Sequence, residues 1–434
     1  MISVSESKFI ACLVFLTKFF ATSAEKSRTY RYAARYAEFL ENAFLRSRTY
    51  ALSRQMPRLY PARIWCVFDL ANTRLKSSID IFNPIFIFPL VYLAFVCIST
   101  YRPTNLALFS IFVGVAFFAS GTRLSKRVKI KNVALESESE RIAILLISVG
   151  ALALVYDIFQ AGAIPLLEPT AKRYLNVTLT TLAMVLVPGG VLAISSVGKR
   201  MQMGKISLNE ARVYSLAILL TTTLLISLLG YRTQIIVSLL GCTIAMYYSR
   251  FIGVAEIVVS FFFAFFAISL AGYYRALAEG SSIGLFEVVG KRMGLTLSIY
   301  DNLVNRFFLF GANHGTTLLA TFSSFFHFIP GPGLGPRTIV ARMYGVQHIS
   351  MTSTLFGTVV LDFGIPGIAI FALALGFVVG LAYYAMKNTR GALPTGIFSL
   401  LIAYTLVGIE TGLVDLIVFA FFFISFLILV NPKR

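Results

Sequence analysis

Charge is scarce in this chain: Asp, Glu, Lys and Arg make up 13% of 434 residues, about half the ~25% typical of soluble domains. That excludes an ordinary cytosolic enzyme and a disordered, highly charged polymer. Cysteine is also scarce. Cys12, Cys66, Cys97 and Cys242 show no CxxC spacing and lie in apolar or basic stretches, which excludes a disulfide scaffold and a thiolate metal centre and leaves them as packing residues. There are three histidines and one tryptophan. The sequence has no P-loop, HExxH or GxSxG, nor the Asp-x-Asp pair by which sugar-nucleotide transferases hold a divalent ion. What it has is apolar residues: 57% of the chain, 40 of them phenylalanine, with a mean hydropathy of +0.80. This is the composition of a membrane protein.

A bilayer core of about 30 Å needs roughly 20 apolar residues per helix, and every lipid-facing backbone group must be paired internally. Ten stretches qualify: 83–100, 104–120, 142–158, 175–197, 213–230, 233–249, 251–271, 364–386, 392–409 and 413–430. None has the alternating ten-residue pattern of a β-barrel strand. The expected fold is therefore all-α and polytopic, with about ten spans and one long loop between spans 7 and 8.

Lys and Arg in short loops orient such a bundle. One face collects fifteen, at Arg123, Lys126, Arg127, Lys129, Lys131, Arg141, Lys199, Arg200, Lys205, Arg212, Arg250, Lys387, Arg390, Lys433 and Arg434. The short loops of the other face hold four, Arg102, Lys172, Arg173 and Arg232. Both termini are expected in the cytoplasm, at the cell membrane. The formal net charge of +19 then follows from loop retention and anionic lipid, with no need of nucleic acid.

The chain divides into a basic interfacial segment (1–80), spans 1–7 (81–271), an extracytoplasmic loop with short helices (272–363) and spans 8–10 (364–434). The first segment carries 13 Lys+Arg against 6 acids. Ala33, Ala37, Leu40 and Phe44 opposite Arg31, Arg35, Glu38 and Arg46 make an amphipathic helix suited to a leaflet surface. Residues 9–20 are too short to span and lack a small-residue cleavage pattern, which argues against a signal peptide. The Ser-Arg-Thr-Tyr at 27–30 and 47–50 is too short a match to make a repeat. The sequon Asn176-Val177-Thr178 sits too close to a span for modification.

Structureless loops beyond about 15 residues are usually functional, and residues 272 to about 350 hold all three histidines, His314, His327 and His348. They also hold Arg275, Lys291, Arg292, Arg306, Arg337 and Arg342 against Glu279, Glu287 and Asp301. Helical pieces are expected near 282–293 and 295–328. An anionic ligand explains six basic residues; lipid headgroups and the three acids are the alternative. Arg232, in the turn Gly230-Tyr231-Arg232-Thr233, is placed either to snorkel or to aim its planar fork at a phosphate on the outer mouth. Phe328 to Arg337, with three prolines and three glycines, reads as a non-helical rim loop or connector presenting Arg337. Residues 352–367 read as a short helix dipping before span 8, in which Asp362 caps or pairs.

Three motifs resemble the oligosaccharide repeat-unit polymerases of the O-antigen polymerase type, especially their archaeal branch. They are Gly162-Ala163-Ile164-Pro165-Leu166-Leu167, Gly230-Tyr231-Arg232-Thr233, and the run from Pro330 through Thr352-Ser353-Thr354 to Asp362-Phe363-Gly364-Ile365-Pro366-Gly367. The resemblance implies the architecture of GT-C-like polymerases and ligases. It also implies a transferase that moves a growing glycan from a polyprenyl pyrophosphate onto the next lipid-linked unit at the outer face, without metal or cofactor. Lipid-linked oligosaccharide and membrane lipid are the implied partners, with a flippase and a chain-length regulator beside them. Carried over, Arg232, Arg275, Arg337 and Arg342 would hold the pyrophosphate and His314 or His348 would lie near the acceptor. On chemistry alone, a histidine or a carboxylate such as Glu279 supplies the base for the attacking hydroxyl. A ligase shares this chemistry and differs in its acceptor. A flippase would instead need repeats and midplane ionisable groups, of which Glu256, near a span end, is the one candidate.

Overall fold

The computed structural model describes residues 80–430, apart from 129, 131–135, 279–283, 285–286, 327 and 347–349. The readings made for residues 1–79 lie outside the described residues. Among those described there are fourteen α-helices and no strand. They are α1 (Pro84–Ile98), α2 (Asn105–Ser125), α3 (Ser139–Ala161), α4 (Val177–Ala183), α5 (Leu186–Gln202), α6 (Leu208–Ser227), α7 (Arg232–Tyr248) and α8 (Val254–Ala278). There follow α9 (Glu287–Phe307), α10 (Thr316–Ser323), α11 (Pro336–Met343), α12 (Gly357–Thr389), α13 (Ala392–Thr411) and α14 (Leu416–Val430). Each of the ten apolar stretches lies on a helix. Six, namely α2, α3, α4–α5, α6, α12 and α13, are long and apolar enough to cross a membrane, so the chain is a polytopic membrane protein.

Local chemistry sets the helix ends. Asn83 accepts the Ile85 N–H at 3.1 Å just ahead of Pro84 at the first helical position. Ser207 and Glu210 form a reciprocal capping box on α6. Asn176, the sequon residue, caps α4 through Thr178 and Leu179 N–H. Gly162 ends α3 in the left-handed conformation.

The interior is apolar, as in a soluble protein, but so is much of the exterior. Phe112, Leu152, Phe159, Leu224, Phe262 and Ile370 lie on the exterior, where lipid solvates them without cost. With lipid as apolar as leucine, helices gain by approaching closely through small residues. At the α2–α12 contact a Cβ on Gly376 would overlap the Phe118 carbonyl, and Thr122 Oγ1 donates to the Gly376 carbonyl at 3.1 Å. α13 is the innermost helix, buried over its full apolar length, packed by α5, α7 and α12.

The segment read as a long loop is a cap built from α9, α10, α11 and the strap 350–356. α9 is continuous through Gly294, where the sequence suggested a division; the break comes instead at 308–315. Gly294 lies directly against Thr100, so close contact rather than a turn uses its missing side chain. Asp301, fully embedded on α9, fixes the cap to the α1–α2 turn. It accepts from Tyr101 Oη at 2.7 Å, Thr104 Oγ1 at 2.5 Å and Asn305 Nδ2 at 3.1 Å. That carboxylate holds the Tyr101 proton in place and raises the phenol above its ordinary range.

The short helix expected before span 8 is present as the first two turns of α12, which breaks at Gly364 (φ 66°, ψ −157°), a conformation essentially restricted to glycine. Residues 308–313 repair the break: Ile365 N–H donates to the Phe308 carbonyl at 3.0 Å, and the Leu361 carbonyl accepts Ala312 N–H at 2.8 Å. Such repair is what allows irregular backbone inside a membrane protein.

Candidate functional site

The turn between α6 and α7 is built around Gly230, whose φ of 69° reverses the chain. Its carbonyl accepts Lys172 Nζ at 2.8 Å, and the same ammonium lies 5.6 Å from the centre of the Tyr231 ring. Leu166 N–H donates to the Leu228 carbonyl at 3.1 Å, docking the 162–173 segment on this turn. Two of the sequence motifs, 162–167 and 230–233, are therefore one structural unit. Burial pushes the Tyr231 hydroxyl above its usual range, and the carboxylates of Asp157 and Asp415 add to the shift. Arg232 opens α7 with its side chain exposed. One turn into the helix, buried Gln234 accepts Tyr404 Oη of α13 at 2.8 Å, so the base of Arg232 is held to the central helix.

The cap meets the same end of α13 through two arginines. Arg337 pairs with Asp415 in a fork, at 3.0 and 3.2 Å, and also donates to the Thr411 carbonyl at 3.3 Å. Arg292 of α9 donates to Glu410 at 2.5 Å. Pro336 and Arg337 lie inside the first turn of α11, so Arg337 is presented by a helix rather than by the rim loop, which ends at Gly335. Its charge is already matched by Asp415. Arg342 is exposed in the last turn of α11, where a cation also complements the helix C-terminus.

His314 (φ 44°) and Gly315 (φ 95°) form an exposed left-handed corner that starts α10. Gly315 has no side chain to cap that helix, and Asp362, wholly buried, does so from the break in α12. Its two oxygens accept Thr317 N–H at 3.0 Å and Leu318 N–H at 2.8 Å. The capping role read for Asp362 is thus observed, across 45 residues of chain. Thr321 Oγ1 then donates to the Val414 carbonyl at 3.1 Å, so α10 also rests on the α13–α14 turn that carries Asp415.

The site residues named from sequence separate accordingly. Arg232 and Arg337 are gathered at the end of α13 that carries Thr411; His314 stands just before α10, which touches the same turn. Arg275 lies on α8, one turn before its end, with its side chain outside the description, as are His348 and Glu279 altogether. Of the other loop acids, Asp301 is structural, and Glu287 is exposed and paired with Lys291 at 2.9 Å, which holds it below the usual carboxylate range. Sequence reasoning missed Glu410 and Asp415. Their signal was Glu410-Thr411-Gly412-Leu413-Val414-Asp415, two carboxylates in the turn between the last two spans.

A set of guanidinium and ammonium groups at the mouth of an apolar bundle suits a ligand with a charged phosphate head and an apolar tail. Comparisons with known proteins place the chain in a family. A protein of Methanocaldococcus jannaschii described as uncharacterized is 30% identical over 344 residues, covering 78% of this chain and 90% of that protein. No solved structure matches. The family model described as "Putative O-antigen polymerase" matches residues 80–422, nearly the whole membrane domain and its cap, and the chain belongs to the O-antigen polymerase family.

Proposed function

We propose that the chain lengthens a lipid-linked glycan, transferring it from one polyprenyl pyrophosphate to the next lipid-linked repeat unit at the end of the bundle where α13 terminates. The observation that carries this reading is the gathering of Lys172, Arg232, Arg292 and Arg337 around that end, beneath a helical cap. The family membership gives the polymerase-like membrane function; the carrier, the direction of transfer and the residue roles are the reading offered.

In the reaction, the C1–O bond to the pyrophosphate breaks as a sugar hydroxyl of the acceptor attacks C1. Electrons from the broken bond remain on the departing pyrophosphate, and the hydroxyl proton passes to a base. A preorganised donor aimed at that developing charge is worth roughly 2.7–4 kcal/mol. Arg232, exposed and with its helix anchored to α13, is assigned this task, with Arg275 and Arg342 as further contacts. Arg337, already engaged with Asp415, holds the cap in position and contacts the pyrophosphate by exchanging that partner. His314 or His348 takes the proton, with Glu279 as the carboxylate alternative. The face rich in Lys and Arg is the cytoplasmic one, and transfer occurs on the opposite side of the cell membrane. A flippase and a chain-length regulator fit as partners that deliver substrate and limit its growth.

The test is to incubate the purified protein in lipid with its host's polyprenyl-pyrophosphate oligosaccharide and EDTA, and to resolve the products by gel. A ladder at repeat-unit spacing is expected. Arg232→Ala should shorten it by two to three orders of magnitude in rate, with partial recovery in Arg232→Lys. Transfer of a single finished glycan to another acceptor would mean a ligase, and unchanged substrate from folded protein would remove the enzymatic reading.

A further inference from the structure

At the opposite end of the bundle the helix termini enclose a cavity of about 880 Å³, in the range of small-molecule sites. Five cations from four segments line it: Lys199 from the end of α5, Arg212 from α6, Arg250 from the α7–α8 turn, and Lys387 and Arg390 from the end of α12. Among the described residues Asp80 is the one carboxylate in the wall. Glu136 and Glu256 stand nearby. Glu136 caps α13 through Ala392 and Leu393 N–H at 2.7 and 3.0 Å, and Glu256 accepts Gly253 N–H at 2.9 Å. Counting both, cations still exceed carboxylates by five to three.

The five cations are not equivalent. Lys199 pairs with Glu136 at 2.8 Å, and Lys387 pairs with Asp80 at 2.7 Å. Arg212, 4% exposed, donates from Nε to the Phe251 carbonyl at 2.7 Å. Arg250 and Arg390 are different: among the described residues neither guanidinium makes a hydrogen bond or an ion pair. Both sit in left-handed backbone, at φ 64° and 50°, where a side chain is disfavoured and glycine or asparagine is usual after a helix. A cation beside a helix C-terminus is favoured by the helix dipole, but a lysine or arginine one turn earlier gains the same without the left-handed backbone. Two exposed arginines without a described partner thus stand at positions that disfavour them locally, and both line one cavity.

We propose that this cavity binds a phosphate-bearing anion, held between Arg250 and Arg390 with Arg212 and Lys387 behind them. Guanidinium geometry matches phosphate oxygens in pairs. The wall also contains Phe251, Ile252, Met386 and Leu208, so the bound phosphate is one attached to an apolar body, as in a phospholipid headgroup, or a free phosphate occupying the polar part. The site is independent of the glycan-transfer reading and lies at the far end of the bundle from it.

The test uses the full chain and Arg250→Gly/Arg390→Gly, which removes both charges and relieves the backbone, so that loss of binding is not loss of fold. Inorganic phosphate is titrated in detergent at constant ionic strength against chloride, following the unfolding midpoint. Separately, retention of phosphatidylglycerol over phosphatidylcholine from mixed vesicles is read by native mass spectrometry. The wild type should bind phosphate or retain phosphatidylglycerol. The glycine pair should weaken this at least tenfold, and Arg250→Lys/Arg390→Lys should keep most of it. Retention of phosphatidylglycerol without a phosphate effect identifies the lipid headgroup; a phosphate effect alone identifies a soluble ligand. Equal binding by the wild type and the glycine pair, or no preference over chloride and phosphatidylcholine, overturns the proposal.

Discussion

Replacing Asp362 tests how the break in α12 positions the His314 corner. The carboxylate is wholly buried and accepts two backbone N–H groups in the first turn of α10, one on each oxygen, at 3.0 and 2.8 Å. Asp362→Asn keeps one acceptor and turns the other into a donor facing an N–H. Asp362→Ala leaves both amides without a partner. A buried unsatisfied donor costs about 1–3 kcal/mol, so Asn should destabilise α10 by about 1–3 kcal/mol and Ala by up to twice that. At 1.4 kcal/mol per decade, local opening becomes roughly five- to 140-fold more frequent in Asn, and more so in Ala. Hydrogen–deuterium exchange with peptide-level readout over 314–326 measures this directly, with α13 as internal reference. Glycan extension should fall in the same order. Wild-type exchange over α10 in Asp362→Ala, with α13 also unchanged, would refute the argument that this carboxylate holds the corner.

Other consequences follow from the same contacts. Gly364→Ala forces a side chain into a glycine-only conformation and against the Leu309 carbonyl; it should cost about 1–3 kcal/mol or more, seen as a lowered unfolding midpoint in detergent. Gly376→Ala, which drives a methyl group into the Phe118 backbone, should separate α2 from α12 and lower the midpoint by a similar 1–3 kcal/mol equivalent; an unchanged midpoint would mean these helices do not need their close approach. For Arg337 and Asp415, a double-mutant cycle with Arg337→Ala and Asp415→Asn should return a coupling of about 1 kcal/mol, since the pair is a fork but partly open to solvent. Tyr404→Phe removes the buried bond to Gln234 and should cost about 1–3 kcal/mol by leaving that amide oxygen unpaired.

Much of the architecture follows from the chain alone because lipid imposes a strong filter. A segment such as 392–409, apolar over a bilayer's thickness, has no alternative to a helix, since its backbone groups find no other partner in hydrocarbon. The helix punctuation at Asn83, Ser207 and Gly162 is local chemistry and is equally readable. The turn at Gly230 and the non-helical run after Phe328 belong to the same class. The clustering of basic residues into five separate segments between the apolar stretches is likewise a property of the sequence itself.

Tertiary structure decided what no local signal contains. Arg337 and Arg232 look alike in sequence, each an arginine two residues after a glycine and outside the apolar stretches. Only the fold brings Asp415 to one of them, 78 residues away, and leaves the other exposed. Asp301 reads as a loop acid until Tyr101 and Thr104, about 200 residues earlier, close around it. Lys199, Arg212, Arg250, Lys387 and Arg390 share a pattern, yet only packing makes them the wall of one cavity and gives partners to some and not to others. The division has a physical cause. Helix formation in a membrane is settled by short-range backbone pairing, whereas the charge state and availability of a side chain are settled by whichever distant group the bundle sets beside it.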